Sequence, residues 1–257
     1  MNPKLIGFDI DGTIYQTRRR DLPVSTWDAL RTLKQKGCRL AVITSRSREE
    51  LCTLPQDLFP LLDAISCNMG ADVSIQERHI LHPLRKVQSD AAMQWIQDHR
   101  IICRYVTVKG NGYLNMHADD IDALFDYCYA YIPPRKDWQK EPLLHMLYYT
   151  CHPDQVETIQ SFFPGASFWS SRYIHEIAAE HVNKGTSLLE IADALGISHD
   201  ATASFGDGIN DIPLLQYAST GIAMGNGADA CKAAADYITD TIENDGFYQA
   251  CRHFHWF

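Results

Sequence analysis

Apolar runs and amphipathic stretches alternate along the first part of the chain. Leu5–Phe8 and Leu40–Ile43 are apolar throughout, which is typical of strands that are buried on both faces. Between them, apolar residues at helical spacing predict a helix that Ser25 caps and that ends near Gly37. A strand, a helix and a second strand in this order predict a parallel sheet.

The last third of the chain repeats this alternation, and the two parts together predict a Rossmann-like, doubly wound α/β core. The predicted elements of this part are a helix that starts at Lys184 and is stopped by Gly196, a strand at Thr202–Phe205, a helix at Ile212–Tyr217, a strand at Gly221–Met224, an alanine-rich helix and an edge strand at Tyr237–Thr239.

The middle third differs, because its strands come in pairs. Gly110-Asn111-Gly112 between two apolar stretches predicts a hairpin turn. The pattern indicates an α+β cap inserted into the core, with the core at 1–82 and 183–257 and the cap at 83–182. The predicted cap elements are helices at Ser89–Arg100, Asp119–Tyr131 and Pro153–Phe163, and strands at Arg104–Val108, Tyr113–Met116, Leu144–Thr150, Phe168–Ser170 and Ile174–Ala178.

The composition is that of an ordinary globular protein, with 46% hydrophobic and 21% charged residues among 257. The net charge is −9, from 32 acidic and 23 basic residues. An acidic surface repels phosphate backbones, so we expect no nucleic-acid partner. An anionic substrate would need positive charge that the site itself supplies.

The eight cysteines are scattered without any Cys-x-x-Cys pair, which is typical of reduced thiols in a cytosolic protein. The N-terminal residues do not resemble a signal peptide, and no apolar stretch reaches the roughly 18 residues that a membrane span needs. We therefore expect a cytoplasmic protein without a membrane partner. We further expect a monomer or a weak homo-oligomer.

Carboxylates cluster where predicted strands end. Asp9 and Asp11 follow the first strand, and Asp207 and Asp211 follow a strand of the last third. Since parallel strands end at the same edge of a sheet, these carboxylates should converge on one crevice. So many negative charges in a small volume require a cation, and ligands that are all oxygen favour Mg²⁺. Gly12 lets the backbone turn sharply after the first pair.

Lys184 is predicted to lie in the first turn of a helix that begins at the same edge. A lysine there opposes the helix dipole, whereas a helix start favours anions. Lysine and dipole together would form a phosphate site, although a solvated lysine is an equal alternative on this ground alone.

Four segments, in the right order, resemble the motifs of the haloacid dehalogenase superfamily. The stretches Val182–Gly185 and Ala223–Asn226 are similar to those of its Cof-type phosphatases, which carry a class IIB cap. The resemblance covers both core segments, and in the cap it is only architectural. The four motif segments are Asp9-Ile10-Asp11-Gly12-Thr13, Thr44, Lys184 and Gly206-Asp207-Gly208-Ile209-Asn210-Asp211.

The resemblance implies that Asp9 is a nucleophile that forms an aspartyl-phosphate. Asp11 would protonate the leaving oxygen and then deprotonate the attacking water. The metal would be held by the carboxylates of Asp9 and Asp207 and by the backbone carbonyl of Asp11. Asp211 would support the metal through water or from outside its ligand shell.

Further residues of the resemblance concern the phosphate. Thr44 would donate a hydrogen bond to the phosphoryl group, Lys184 would neutralise its charge, and Asn210 would orient the phosphate or the lysine. Ser45 stands where the family usually has glycine, and it would border the substrate. Arg46 follows as a candidate substrate contact, with a surface arginine as the equal alternative.

The resemblance therefore predicts a Mg²⁺-dependent phosphatase for small phosphorylated metabolites, with sugar phosphates as the expected class. A phosphomutase on the same scaffold is one alternative, since some relatives with this cap type move the phosphoryl group. A non-enzymatic metabolite sensor and a broad housekeeping phosphatase are the others.

Overall fold

The computed structural model describes residues 2–116 and 131–257. The chain divides into two compact units, which we call the core unit and the inserted unit. The core unit comprises Met1–Ser45, Leu54–His79 and Asn183–Phe257, and the inserted unit comprises Arg46–Thr53 and Ile80–Val182. The domain boundaries drawn from the sequence remain a prediction, and nothing in the sequence indicated that Arg46–Thr53 groups with the inserted unit.

Strands and helices account for most of the described residues. The strands are β1 (Leu5–Phe8), β2 (Arg39–Ile43), β3 (Ala64–Cys67), β4 (Asp72–Ile75), β5 (Arg78–Leu81), β6 (Ile102–Thr107), β7 (Gly110–Leu114), β8 (Leu143–Tyr149), β9 (Ser167–Ser170), β10 (Ile174–Ala178), β11 (Thr202–Gly206), β12 (Thr220–Ala223) and β13 (Tyr237–Ile238). The helices are α1 (Val24–Gln35), α2 (Lys86–Asp98), α3 (Pro153–Ser161), α4 (Lys184–Ala194), α5 (Ile212–Tyr217), α6 (Asp229–Ala233) and α7 (Gly246–His253).

An eight-stranded sheet forms the core unit, in the order β13-β12-β11-β1-β2-β3-β4-β5. The strands from β13 to β3 are parallel, and β4 runs antiparallel to β3. Every residue of β1 is buried, as a central parallel strand requires. Because β1 lies between β2 and β11, the chain segments that follow these three strands leave the sheet side by side at its carboxyl edge. The predicted α/β core is confirmed.

The predicted cap of α1 is wrong. The helix begins at Val24, after Pro23, and no side chain caps it. Ser25 lies inside the first turn, where its hydroxyl donates a hydrogen bond to Asp245 at 2.5 Å. Proline fixes its own φ near the helical value, so it can start a helix without a capping side chain. Gly37 follows the end of the helix at φ +83°, as expected for a helix stop.

The inserted unit contains a five-stranded antiparallel sheet, in the order β7-β6-β8-β10-β9. The buried residues of α2 and α3 pack against one face of this sheet in a single apolar cluster, which includes Met93, Tyr105 and Phe163. The helix predicted at Asp119–Tyr131 lies, except for its last residue, outside the described residues. No helix in the described part of the chain is both long and apolar enough to span a bilayer.

The hairpin of β6 and β7 turns earlier than predicted. Its turn is at 108–109, and the predicted turn residues 110–112 belong to β7. A Cβ atom on Gly112 would lie 2.7 Å from the hydroxyl oxygen of Tyr105. The glycine at this position therefore provides space for a ring on the paired strand, which a local turn signal cannot reveal.

The segment Arg46–Thr53 is anchored inside the inserted unit by a buried ion pair. Arg104 donates from Nη1 to one carboxylate oxygen of Glu50, and both side chains are almost fully buried. The other oxygen of Glu50 accepts a hydrogen bond from the backbone N–H of Ser47 at 2.6 Å. Burial lowers the pKa of Arg104, but the charge of Glu50, with smaller contributions from Tyr113, Tyr149 and Glu176, raises it above its usual value.

We expect Glu50→Ala to lower the free energy of unfolding by about 3–5 kcal/mol, because it removes the carboxylate that faces a buried guanidinium. Urea unfolding measures this change. Lys86→Ala is the control, since it removes an exposed ion pair with Asp90 and should cost less than about 1 kcal/mol. Equal effects of the two substitutions would contradict the role assigned to the buried pair.

Candidate active site

Three charged side chains meet at the carboxyl edge of the core sheet. The ammonium of Lys184 donates to Oδ1 of Asp9 at 2.7 Å and to Oδ1 of Asp211 at 2.6 Å. Lys184 is 1% exposed and Asp211 is 0% exposed, so the two ion pairs are shielded from water. The array joins the segments that follow β1 and β11 to the first residue of α4.

The start of α4 places the lysine in this array. Asn183 is the N-cap residue, and its side-chain oxygen accepts the N–H of Thr186 at 2.9 Å. The hydroxyl of Thr186 in turn accepts the N–H of Asn183 at 3.0 Å, which completes a capping box. Burial lowers the pKa of Lys184, but the carboxylates of Asp211 and Asp9 outweigh burial and raise it, so the side chain remains charged.

Asp211 organises the loop that follows β11. Its Oδ2 accepts the backbone N–H groups of Asp207 at 3.0 Å and of Gly208 at 2.8 Å. Its Oδ1 binds Lys184. The carboxylate therefore fixes the loop and the lysine at once, and its predicted support of a metal ion remains a prediction.

Asp207 approaches the loop after β1 very closely. Thr13 donates from its hydroxyl to Oδ1 of Asp207 at 3.1 Å. Gly12 has φ +80°, and a Cβ atom there would lie 2.3 Å from Oδ2 of Asp207. Only glycine combines this backbone conformation with this approach.

Carboxylate oxygens from Asp9, Asp207 and Asp211 all lie within 4.8 Å of one another. A set of closely spaced carboxylate oxygens fits a hard divalent cation such as Mg²⁺. The carboxylate of Asp11 is not one of this group and accepts a hydrogen bond from the hydroxyl of Thr17 at 3.2 Å. The implied use of the Asp11 backbone carbonyl as a metal ligand remains a prediction.

The electrostatics of the cluster favour a bound cation. Burial raises the pKa of Asp9, and Asp211, Asp207 and Asp11 raise it further against the effect of Lys184. Burial and the charge of Asp211 raise the pKa of Asp207 to about 7. One lysine therefore does not neutralise the cluster, and a cation would stabilise the ionised carboxylates.

The predicted phosphate residues lie at the ends of neighbouring strands. Thr44 and Ser45 directly follow β2 and are both buried. The N–H of Thr44 donates to the carbonyl of Ser66 at 2.9 Å, which extends the pairing with β3. Asn210 lies in the loop after β11, where its Nδ2 contacts Sδ of Met69 at 3.7 Å.

Arg46 is not grouped with the acidic cluster. It is fully buried within the inserted unit, and its Nη1 donates to the carbonyl of Glu50 at 3.3 Å and to the hydroxyl of Thr53 at 2.7 Å. The alternative of an exposed surface arginine is wrong. Its role in substrate binding remains a prediction.

Asn226 also binds the loop that follows β1, although the resemblance implies no role for it. Its Nδ2 donates to the carbonyl of Gly12 at 2.8 Å, and its Oδ1 accepts the N–H of Ile242 at 2.9 Å. Asn226 lies in the loop after β12, and its side chain anchors the loop after β1. Its membership of the Ala223–Asn226 stretch was the only signal in the sequence. That signal did not indicate which groups the side chain contacts.

An open α/β sheet that gathers acidic side chains and a buried lysine at its carboxyl edge is the architecture of an enzyme that acts on an anionic group. The chain belongs to the haloacid dehalogenase-like hydrolase family, whose model matches residues 6–251. This membership, together with relatives that are named as phosphatases, confirms the predicted family and enzyme class, a haloacid dehalogenase-like phosphatase.

Several known proteins are similar over nearly the whole chain. Pyridoxal phosphate phosphatase YbhA of Escherichia coli is 23% identical and covers 97% of each chain. Phosphatase YwpJ of Bacillus subtilis is 23% identical and covers 97% of this chain and 99% of its own. The solved structure of the subclass IIB sugar phosphatase BT4131 has a TM-score of 0.88 at 24% identity, covering 99% of this chain and 100% of that one. At this identity, the similarity to the structure of BT4131 shows the fold alone.

Divalent-cation binding should depend on pH in the range where Asp207 titrates. In the metal-free protein, stability contributed by its proton is lost as the pH rises through about 7. A Mg²⁺ ion bound at the cluster would replace that proton, so we expect the Mg²⁺-induced rise in Tm to be small at acidic pH and to grow as the pH rises past neutrality. Thermal melts with and without Mg²⁺ test this, and Asp207→Asn should reduce the rise at every pH, because it removes a proposed metal ligand. A pH-independent rise would contradict it.

Gly12→Ala should remove the Mg²⁺-induced rise in Tm, because its methyl group would meet the carboxylate of Asp207. Gly37→Ala is a matched control. Gly37 has nearly the same φ, +83°, but nothing lies within 4 Å of the added Cβ. The control should lose about 1–2 kcal/mol of stability from backbone strain and keep its response to Mg²⁺. If Mg²⁺ raises the Tm of both variants as much as that of the wild type, the response to Mg²⁺ does not require the close approach of Gly12 to Asp207.

Proposed function

We propose that the chain hydrolyses phosphate monoesters through an aspartyl-phosphate formed on Asp9. The observation that carries this proposal is the buried array in which Lys184 binds both Asp9 and Asp211 beside the carboxylate of Asp207. A carboxylate held at one oxygen by a buried ammonium is oriented for attack, and the ammonium offsets the negative charge of an incoming phosphoryl group.

The reaction then takes two displacements at phosphorus. In the first, a carboxylate oxygen of Asp9 forms a bond to phosphorus while the bond to the ester oxygen breaks, and Asp11 gives its proton to the leaving alkoxide. In the second, water attacks the aspartyl-phosphate, Asp11 takes a proton from that water, and the bond between phosphorus and Asp9 breaks. Inorganic phosphate leaves, and Asp9 and Asp11 return to their starting states.

Mg²⁺ is the proposed cofactor. The carboxylates of Asp9 and Asp207 and the backbone carbonyl of Asp11 would hold it, since hard oxygen donors suit this ion. When bound, it would reduce the repulsion between the carboxylates and the phosphoryl oxygens. Thr44 and Asn210 would contribute hydrogen-bond donors to the phosphate, and Lys184 would contribute the fixed positive charge.

The proposed substrates are small phosphorylated metabolites, with sugar phosphates as the first class to test. The names of the similar phosphatases support this, as one acts on pyridoxal phosphate and another is a sugar phosphatase. Among the described residues, Cys38, Cys52, Cys103, Cys151, Cys231 and Cys251 are free thiols, which supports the proposal of a reducing, cytosolic setting.

Asp9→Asn should abolish phosphate release and leave the fold intact, because an amide is a far weaker nucleophile than a carboxylate. The assay is phosphate release from a panel of phosphorylated metabolites, with Mg²⁺ and with EDTA. Asp28→Asn on the exposed side of α1 is the matched control and should keep full activity.

Full activity of Asp9→Asn would overturn the nucleophile assignment. Conversion of a sugar phosphate to its isomer without release of phosphate would show that the chain is a mutase and not a hydrolase. Activity that persists in EDTA would overturn the proposed need for a metal.

A further inference from the structure

The turn between β3 and β4 has a strained backbone. Asn68, Met69 and Gly70 are consecutive and have φ of +53°, +63° and +107°. The left-handed region suits glycine and is tolerated by asparagine, but methionine adopts it at a cost. Such strain persists where surrounding contacts fix the backbone, and it is concentrated at functional sites.

This turn contacts several segments of the candidate site. The N–H of Met69 donates to the carbonyl of Thr44 at 3.0 Å, and its Sδ accepts Nδ2 of Asn210 at 3.7 Å. Gly70 packs so closely on the N-cap of α4 that a Cβ atom there would lie 2.9 Å from the carbonyl oxygen of Asn183. The turn is thus enclosed by the phosphate-binding candidates and by the residue that precedes Lys184.

The side-chain amide of Asn68 makes no hydrogen bond to any described residue. The residue is 0% exposed, and neither Nδ2 nor Oδ1 has a hydrogen-bond partner among the described residues. Asn68 stands between Cys67, the last residue of β3, and Met69, whose N–H binds the carbonyl of Thr44, so the chain brings it to the end of β2. Buried amides are nearly always paired, because an unpaired one loses its hydration without compensation.

We propose that Asn68 is a phosphate-binding residue, whose Nδ2 donates a hydrogen bond to a phosphoryl oxygen of the substrate. The inference rests on the proposed function. It accounts for three observations together: the unpaired amide, the strained turn and the position next to Met69, which binds Thr44. Because the amide is enclosed, a phosphoryl oxygen can reach Nδ2 only if the turn shifts.

The test is Asn68→Gly, because glycine removes the amide and still adopts the left-handed backbone. We expect its KM and the inhibition constant of inorganic phosphate both to rise at least about tenfold, as for loss of a hydrogen bond to a charged group. The Tm should not fall, since an unpaired amide and backbone strain are both removed. Gln76→Gly is the matched control, with the same φ of +53° at an exposed position, and should keep wild-type kinetics.

Asn68→Asp is the second variant and keeps the size of the side chain if the glycine variant does not fold. Its carboxylate would repel phosphate, so the same two constants should rise further. An unchanged KM and an unchanged inhibition constant in a folded variant would overturn the inference while phosphatase activity itself stands.

A wild-type protein that releases no phosphate from any substrate would overturn the proposed function instead. Binding of inorganic phosphate, measured by calorimetry in the presence of Mg²⁺, then decides the inference by itself. Weaker binding by Asn68→Gly supports it. Equal binding by the variant, or no binding by the wild type, overturns it.

Discussion

The ion pairs of Lys184 with Asp9 and Asp211 are the interaction on which the candidate site depends. A buried charge is costly unless an opposite charge and hydrogen bonds compensate it, and here one ammonium serves two carboxylates. The three residues come from separate segments, so the array also fixes the start of α4 against the ends of β1 and β11. Removing any one of the three charges would leave a buried charge without full compensation.

The remaining geometry follows from placing these segments side by side. The central position of β1 puts its carboxyl end between those of β2 and β11, and Gly12 lets the first loop approach Asp207. The carboxylates at this edge are buried and close to one another, so burial first and the neighbouring carboxylates second raise the pKa of Asp9 and Asp207. A crowded acidic site is costly for the metal-free protein and suitable for binding a cation, so stability and proposed function have a common cause.

The inserted unit begins one peptide bond after the candidate phosphate residue Ser45. Its first segment, Arg46–Thr53, is anchored by the buried pair of Glu50 and Arg104, which are 54 residues apart in the chain. No local pattern marks such a pair, because each residue by itself resembles an ordinary surface charge. The hairpin with its turn at 108–109 is a second example of a feature that no local pattern marks. Gly112, which indicated a turn, instead leaves space for the ring of Tyr105 on the paired strand.

The sequence by itself determined the parallel core, the helix at 212–217 and the position of Asp9, Lys184 and Asp207 at one edge, because apolar periodicity and the direction of parallel strands decide these features locally. Only the tertiary structure decided that Asp211 fixes its loop through two backbone N–H groups and that the amide of Asn68 is buried without a partner. Such features depend on distances between side chains and backbone after the chain has folded. A linear pattern of polar and apolar residues contains no information about those distances.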